Sequence, residues 1–282
     1  MLHRIPSLES LVITFFPDED AWITPFTYLS EMSQYQLLQF DVFEGLASNP
    51  NPLPALQSLH INAWFAMPDD LYSKAPFKRI IASLRDLRFN VQDTDIGGDE
   101  DNFTALTDRC TAPDFWTDVI GPHVLQPAVN LTSLAMESSV EFGSLILLNL
   151  DSITYPCLTS LSLSSFAWDD TRDDPQVVAL QADDFIVRHG KTLKKLELHG
   201  CTISIPHTRS TPVCSWTAVW NRFTIELTEL VDLDVEYNFH QRYVQYSPVS
   251  GFDSHSNFAI SGTEQDIPAL EALATIVKGR KG

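Results

Sequence analysis

"RHGKTLKKLELHGC" (residues 188–201) carries two incompatible signals, and choosing between them decides the fold. Gly190-Lys191-Thr192 spells the end of a phosphate-binding loop, whereas Leu193, Leu196 and Leu198 spell an apolar ladder leading onto a short strand. A phosphate loop needs G-x-x-x-x-G-K-[ST] after a strand, because successive backbone N–H groups must curl around the phosphates. Phe185 stands where the first glycine is required, and "DDFIVRHG" (183–190) has the character of a helix. Gly190 then ends that helix, as glycine commonly does. Lys191-Thr192 turns the chain into the strand, and the ladder is the reading that survives.

The ladder recurs. L-x-x-L-x-(apolar) appears as "LESLVI" (8–13), "LQSLHI" (56–61), "LRDLRF" (84–89) and "LTSLAM" (131–136). It continues as "LTSLSL" (158–163), "LKKLEL" (193–198) and "LVDLDV" (230–235), seven occurrences where chance gives about one. In L-x-L both apolar side chains point to one face of a strand and the residue between them to the other. One such strand cannot hide its apolar row, so neighbours must stack in parallel, each returning through a crossover. "DFWTDVIGPHVLQPAV", "ADDFIVRHGK" and "WTAVWNRFTIELTE" have the apolar patterning of crossover helices.

Alternating strand and helix at this spacing predicts an α/β leucine-rich-repeat solenoid, one domain over 1–282 with a concave parallel sheet and outer helices. Repeats are expected near 8–16, 56–64, 84–92, 131–139, 158–166, 193–201 and 230–238. Cys201 falls where such repeats place Asn or Cys to turn the chain off the strand. A capping helix is expected over 266–278, with Asp266 as its N-cap and Pro268 in its first turn. The long intervals 17–52 and 93–127 have room for degenerate repeats, for which "YQLLQFDVF" (35–43) and "NFTALTDRC" (102–110) are the candidates. "QDTDIGGDEDN" (92–102) reads as an acidic loop and "WDDTRDD" (168–174) as a loop insertion. A solenoid end exposes the apolar face of its last repeat unless capped, so the strand near Leu8–Ile13 is expected to be the least protected or to associate with another chain.

Charge narrows the function. With 18 Lys+Arg against 37 Asp+Glu the net is -19, a surface that repels phosphate backbones and anionic membranes. Nucleic acid and membrane are therefore not expected as partners, and a basic protein segment is the natural complement. The four cysteines never form C-x-x-C, which in a chain this long suits buried thiols of a reducing compartment. Glu9 interrupts any signal-peptide core, and "LILLNL" (145–150) is too short to span a bilayer. A cytoplasmic or nuclear location is expected.

Chemistry-bearing patterns are sparse. Asp93, Asp95, Asp99 and Asp101 alternate as in a calcium loop, but Gly97 and Thr104 occupy positions that must carry ligands. His189, His199, Cys201, His207 and Cys214 lack the close pairing of structural zinc sites. Neither G-x-S-x-G nor H-E-x-x-H occurs. The expectation is a non-catalytic binding scaffold without cofactor or metal, the alternative being an enzyme or metal protein with its site in the insertions.

"DDFIVRHGKTLKKLELHGCTI" (183–203), "LVDLDVEYN" (230–238) and "DIPALEALATIVKGR" (266–280) resemble the leucine-rich-repeat part of fungal F-box proteins. The resemblance implies that the repeats hold a protein to be ubiquitinated, as the substrate receptor of a cullin ubiquitin ligase. An F-box that binds a Skp1-type adaptor has no counterpart here, since "MLHRIPSLESLVI" is already in repeat register. Adaptor binding would thus require an F-box outside these residues. A stand-alone repeat protein without a ligase role is the other reading.

If the leucines face the core, the residues around them face a partner. That row includes Asp86, Arg88 and Glu137, then Lys195, Glu197 and His199, then Asp232, Asp234 and Glu236. Three carboxylates on one short strand beside Glu197 repel one another, which makes a Lys/Arg-rich segment the expected occupant.

Overall fold

A computed structural model of the chain describes residues 7–15, 34–48, 53–92, 115–138, 150–169, 182–206, 214–236, 243–247, 251–253 and 263–281. The chain forms two compact units, Met1–Val140 and Glu141–Gly282. Each is an α/β unit built on parallel strands with helices as crossovers.

In the first unit, β1 (Ser10–Thr14), β2 (Ser58–Phe65), β3 (Asp86–Gln92) and β4 (Ser133–Ser138) pair in parallel in chain order. Helices α1 (Gln34–Ala47), α2 (Ala75–Ser83) and α3 (Phe115–Leu125) connect them. Pairing sets leucine on leucine, Leu11, Leu59, Leu87 and Leu134 across the four strands, followed by Ile13, Ile61, Phe89 and Met136. These inward residues are buried from β2 onward, whereas Leu11 and Ile13 on the outermost strand are half-buried. Rings fill the space between strands and crossovers. Phe43 of α1 stacks on Trp64 at 5.2 Å, and Trp64 in turn meets Tyr72, Phe89 and Phe115. α3 is wound in wide i→i+5 turns: Gln126 N–H donates to Gly121 O at 2.9 Å. Pro122 inside it has no N–H to give, and the wide turn accommodates that loss.

In the second unit, β5 (Ser160–Ser164), β7 (Lys195–His199) and β9 (Asp232–Glu236) form the equivalent parallel set. Leu161, Leu196 and Leu233 lie in register, as do Leu163, Leu198 and Val235. The helices are α4 (Ala182–Arg188), α5 (Trp216–Glu226) and α6 (Asp266–Arg280). A second sheet of β6 (Ala167–Asp169), β8 (Thr202–Pro206), β10 (Tyr243–Ser247) and β11 (Gly251–Asp253) is parallel except for its β10–β11 pair.

Two backbone devices recur with the leucines. At five of the strand starts the carbonyl just before one strand accepts two N–H groups from the next. Glu9 O takes Gln57 and Ser58, Gln57 O takes Arg85 and Asp86, and Arg85 O takes Thr132 and Ser133. Thr159 O takes Lys194 and Lys195, and Lys194 O takes Val231 and Asp232, every distance lying between 2.8 and 3.0 Å. The second device is a left-handed residue two places after the second inward apolar residue: Ala63, Ser165 and Gly200, with φ of 54°, 61° and 60°. The residue after each of these turns inward and is buried: Trp64, Phe166 and Cys201. In β2 this makes a bulge, whereas in the second unit it sends the chain into β6 and β8. Glycine serves best at such a φ, and only Gly200 uses it.

Three expectations need correction, and one open question is answered. The candidate repeat at 35–43 lies within helix α1, whose Phe43 and Gln39 reach the β2 core from one helical face. Trp168 and Asp169 lie on β6 instead of in a loop insertion, with Trp168 buried against Trp216 at 4.8 Å. The C-terminal helix runs to Arg280, two residues beyond its expected end at 278, and its N-cap is Gln265. Asp266 is fully buried and caps a neighbour: its Oδ1 accepts from Thr217 N–H at 2.8 Å, in the first turn of α5, and from Thr217 Oγ1 at 2.6 Å. Its Oδ2 accepts from the Tyr243 hydroxyl at 2.9 Å. The other candidate repeat, 102–110, and the acidic stretch 93–102 lie outside the described residues.

Candidate functional site: the open strand faces

The polypeptide around Gly190 packs too closely for a phosphate. A Cβ added there would lie 2.3 Å from Glu226 O, so glycine is required for contact between the ends of α4 and α5. Thr192 donates its hydroxyl to His189 O, and Lys194 enters the strand pairing described above.

Strand alternation places the residues between the leucines on the opposite, open face. In the first unit, Asp86 is half-exposed, takes a hydrogen bond from Ser58 Oγ at 3.0 Å and pairs with exposed Arg88 at 3.4 Å. Glu137 is exposed and lies in register with Asn90. Asn62 donates to Thr14 Oγ1 at 3.2 Å, and Val12, 60% exposed, is a large apolar member of the face.

The face of the second unit is a grid in register. Ser160, Lys195 and Asp232 form one row, Ser162, Glu197 and Asp234 the next, and Ser164, His199 and Glu236 the last. Lys195 Nζ lies 2.5 Å from Glu197 Oε1, His199 Nε2 3.4 Å from Asp234 Oδ2, and Lys281 Nζ 2.8 Å from Asp232 Oδ1. Burial alone would raise the Glu197 carboxyl. Hydrogen bonds from Lys195 and Ser162 and the charges of Lys195 and His199 outweigh it, leaving its pKa below the ordinary value. Asp232 is also held below its ordinary range, first by the Lys281 hydrogen bond.

These contacts change the electrostatic argument. The expected repulsion along β9 is offset from outside the strand, by Lys195, His199 and Lys281. The structure brings Lys195, Glu197, His199, Asp232, Asp234 and Glu236 together on one face, while Asp86, Arg88 and Glu137 belong to the other unit. Lys281 and Ser162 are the participants that charge patterning missed. Ser162 was legible as an open-face position, but nothing local ties Lys281 to a strand 49 residues earlier.

The residues considered for metal are placed elsewhere. Cys201 is buried, its Sγ 3.4 Å from Leu163 O, and burial pushes its thiol up to about 12. His189 has both ring nitrogens engaged with backbone. Cys157 is exposed and Cys214 half-buried, and His207 lies outside the described residues. Among the described residues no group of three or more His, Cys, Asp or Glu is placed to hold a metal ion. No helix among them is long and apolar enough to cross a membrane. Comparison with protein-family models, curated proteins and solved structures finds no match to the chain.

Proposed function

We propose that the chain is a non-catalytic protein-binding scaffold whose parallel strands are turns of a leucine-rich-repeat solenoid, and that its open strand faces are the binding surface. The observation that carries this reading is the repetition of one geometry. The leucine ladder and the double hydrogen bond at the strand starts recur in both units and leave the same alternate positions uncovered. A face built the same way strand after strand suits an extended contact with another chain. Four carboxylates against Lys195, Lys281 and a titratable His199 leave the second face acidic at neutral pH. Exposed ion pairs contribute only about 0–1 kcal/mol, so a partner's lysines or arginines can replace the internal ones at little cost. A basic protein segment across Glu197, Asp232, Asp234 and Glu236 is the proposed occupant.

The resemblance to F-box repeat proteins extends the proposal to substrate reception for a ubiquitin ligase in the cytoplasm or nucleus. A Skp1-type adaptor would join through an F-box outside this chain. The test is titration of a Lys/Arg-rich peptide against the chain and its Asp232→Asn, Asp234→Asn, Glu236→Gln triple variant at two salt concentrations. The triple variant should bind at least about tenfold more weakly, with a flatter salt dependence. Equal affinity would remove this face from consideration.

A further inference from the structure

His189 follows the end of α4 and is 2% exposed. Its Nε2 lies 2.9 Å from the Tyr155 backbone N, and its Nδ1 lies 2.7 Å from Phe185 O. A carbonyl only accepts, so Nδ1 carries the proton; a backbone N–H only donates, so Nε2 is bare. This geometry fits one species, the neutral Nδ1–H tautomer. The ring is stacked on Tyr155 at 5.8 Å and meets Phe185 edge-on at 4.7 Å, leaving no room to turn and find other partners. Arg188 acts on the same segment, its Nη1 donating to Leu150 O at 2.8 Å and Ile153 O at 2.6 Å. Two consecutive residues thus pin the stretch that leads into β5.

Arg188 and Lys191 flank the ring on its own segment, Asp183 and Asp184 begin α4 and pair with Arg222 of α5, Asp151, Tyr155 and Cys157 belong to the pinned stretch, and Glu226 ends α5. Asp151 and Glu226 are exposed, and the one charge acting on the ring is that of Arg188, which opposes protonation.

We propose that His189 is a proton-operated latch: neutral, it holds Leu150–Leu158 against the end of α4, and a proton taken from solvent onto Nε2 releases that segment. The added N–H would face the Tyr155 N–H, so the bond between them is lost and both groups must find water. Burial holds the ring's pKa below its ordinary 6.5, and the Arg188 charge adds to this against the opposing bond to Phe185. The sign follows. Well above pH 6.5 folded and unfolded chains are both neutral here and the latch contributes fully. As pH falls below 6.5 the unfolded or opened form takes the proton first, and closure weakens progressively toward the folded pKa.

Amide exchange followed by NMR on the intact chain, from about pH 7.5 to about pH 5, tests this directly. Corrected for intrinsic rate, Tyr155 should lose about tenfold in protection while Leu161 and Leu196 hold theirs. In His189→Gln, which keeps a donor and an acceptor but cannot titrate, Tyr155 protection should stay flat. An equal loss in the variant, or none in the native chain, would overturn the latch. Ring nitrogen shifts of the native chain give a second readout independent of the variant. The proton should sit on Nδ1 near neutrality, and the second should arrive as Tyr155 loses protection. A ring charged at neutral pH, or one neutral throughout that loss, would contradict the proposal.

Discussion

The two units share ring packing between helix and strand, Phe43 of α1 on Trp64 of β2 in the first and Trp216 of α5 on Trp168 of β6 in the second, but differ in the polar groups that tie their helices. In the first, rings meet: Phe43, Trp64, Tyr72, Phe77 and Phe115 form one connected cluster. Its buried polar contact is also ring-bound. Gln39 donates to Phe65 O and accepts from Phe65 N–H, acting as a strand partner, and also contacts the Tyr72 hydroxyl. In the second unit ionisable groups link the crossovers. Asp183 and Asp184 hold Arg222 between α4 and α5, Asp266 ties α6 to α5 and β10, and Arg280 donates to the Leu227 and Leu230 carbonyls. Beside the first unit's rings the buried polar link is the neutral Gln39, whereas the second unit adds ionisable side chains to its ring packing.

The largest expected effect tests the first half of that contrast. Trp64→Ala removes the hub of the ring cluster and should cost about 4 kcal/mol in denaturant unfolding. Asp266→Ala should follow at about 3 kcal/mol, because it strands the Thr217 N–H and hydroxyl together with the Tyr243 hydroxyl. Gln39→Leu should cost about 2 kcal/mol, since it leaves both polar groups of Phe65 without this partner. An Asp266→Ala cost much below that of Gln39→Leu would break the comparison.

Acid sharpens it. Burial lowers the pKa of His123, aided by the Lys78 charge, and of His189, so the midpoint of unfolding should fall as pH drops below 6.5. In His189→Gln the fall should be shallower, with the remainder traceable to His123. The smallest expected effect is at the surface. Lys281→Ala should change stability by less than about 0.5 kcal/mol, while tightening a basic peptide about two- to threefold by freeing Asp232.

What the sequence made legible follows from how local each signal is. Strand positions were readable because L-x-x-L-x-(apolar) is complete within six residues and each copy supports the same register. The second sheet was not. β6 and β8 each follow a single left-handed residue, and "TISIP" ends in a proline that reads as a loop. α1 was left undecided because "YQLLQFDVF" places apolar residues at both strand and helix spacing, and Phe43 meeting Trp64 decides between them. Asp266 illustrates a local rule overridden by tertiary contact: D-x-P reads as a cap for its own helix, yet Thr217 and Tyr243 claim the carboxylate. On the open face of the second unit the acidic column was visible, and its internal counter-charges were not, because Lys281 comes from the end of a different element.

The central claim is that one open strand face, that of β7 and β9 on the second unit, takes a basic chain. Amide chemical-shift mapping with an unlabelled lysine-rich peptide tests it most directly. Perturbations should concentrate on Lys195–His199 and Asp232–Glu236 and leave Ser58–Asn62 and Asp86–Asn90 unmoved. Shifts spread evenly over both units, or confined to residues away from β7 and β9, would contradict the account.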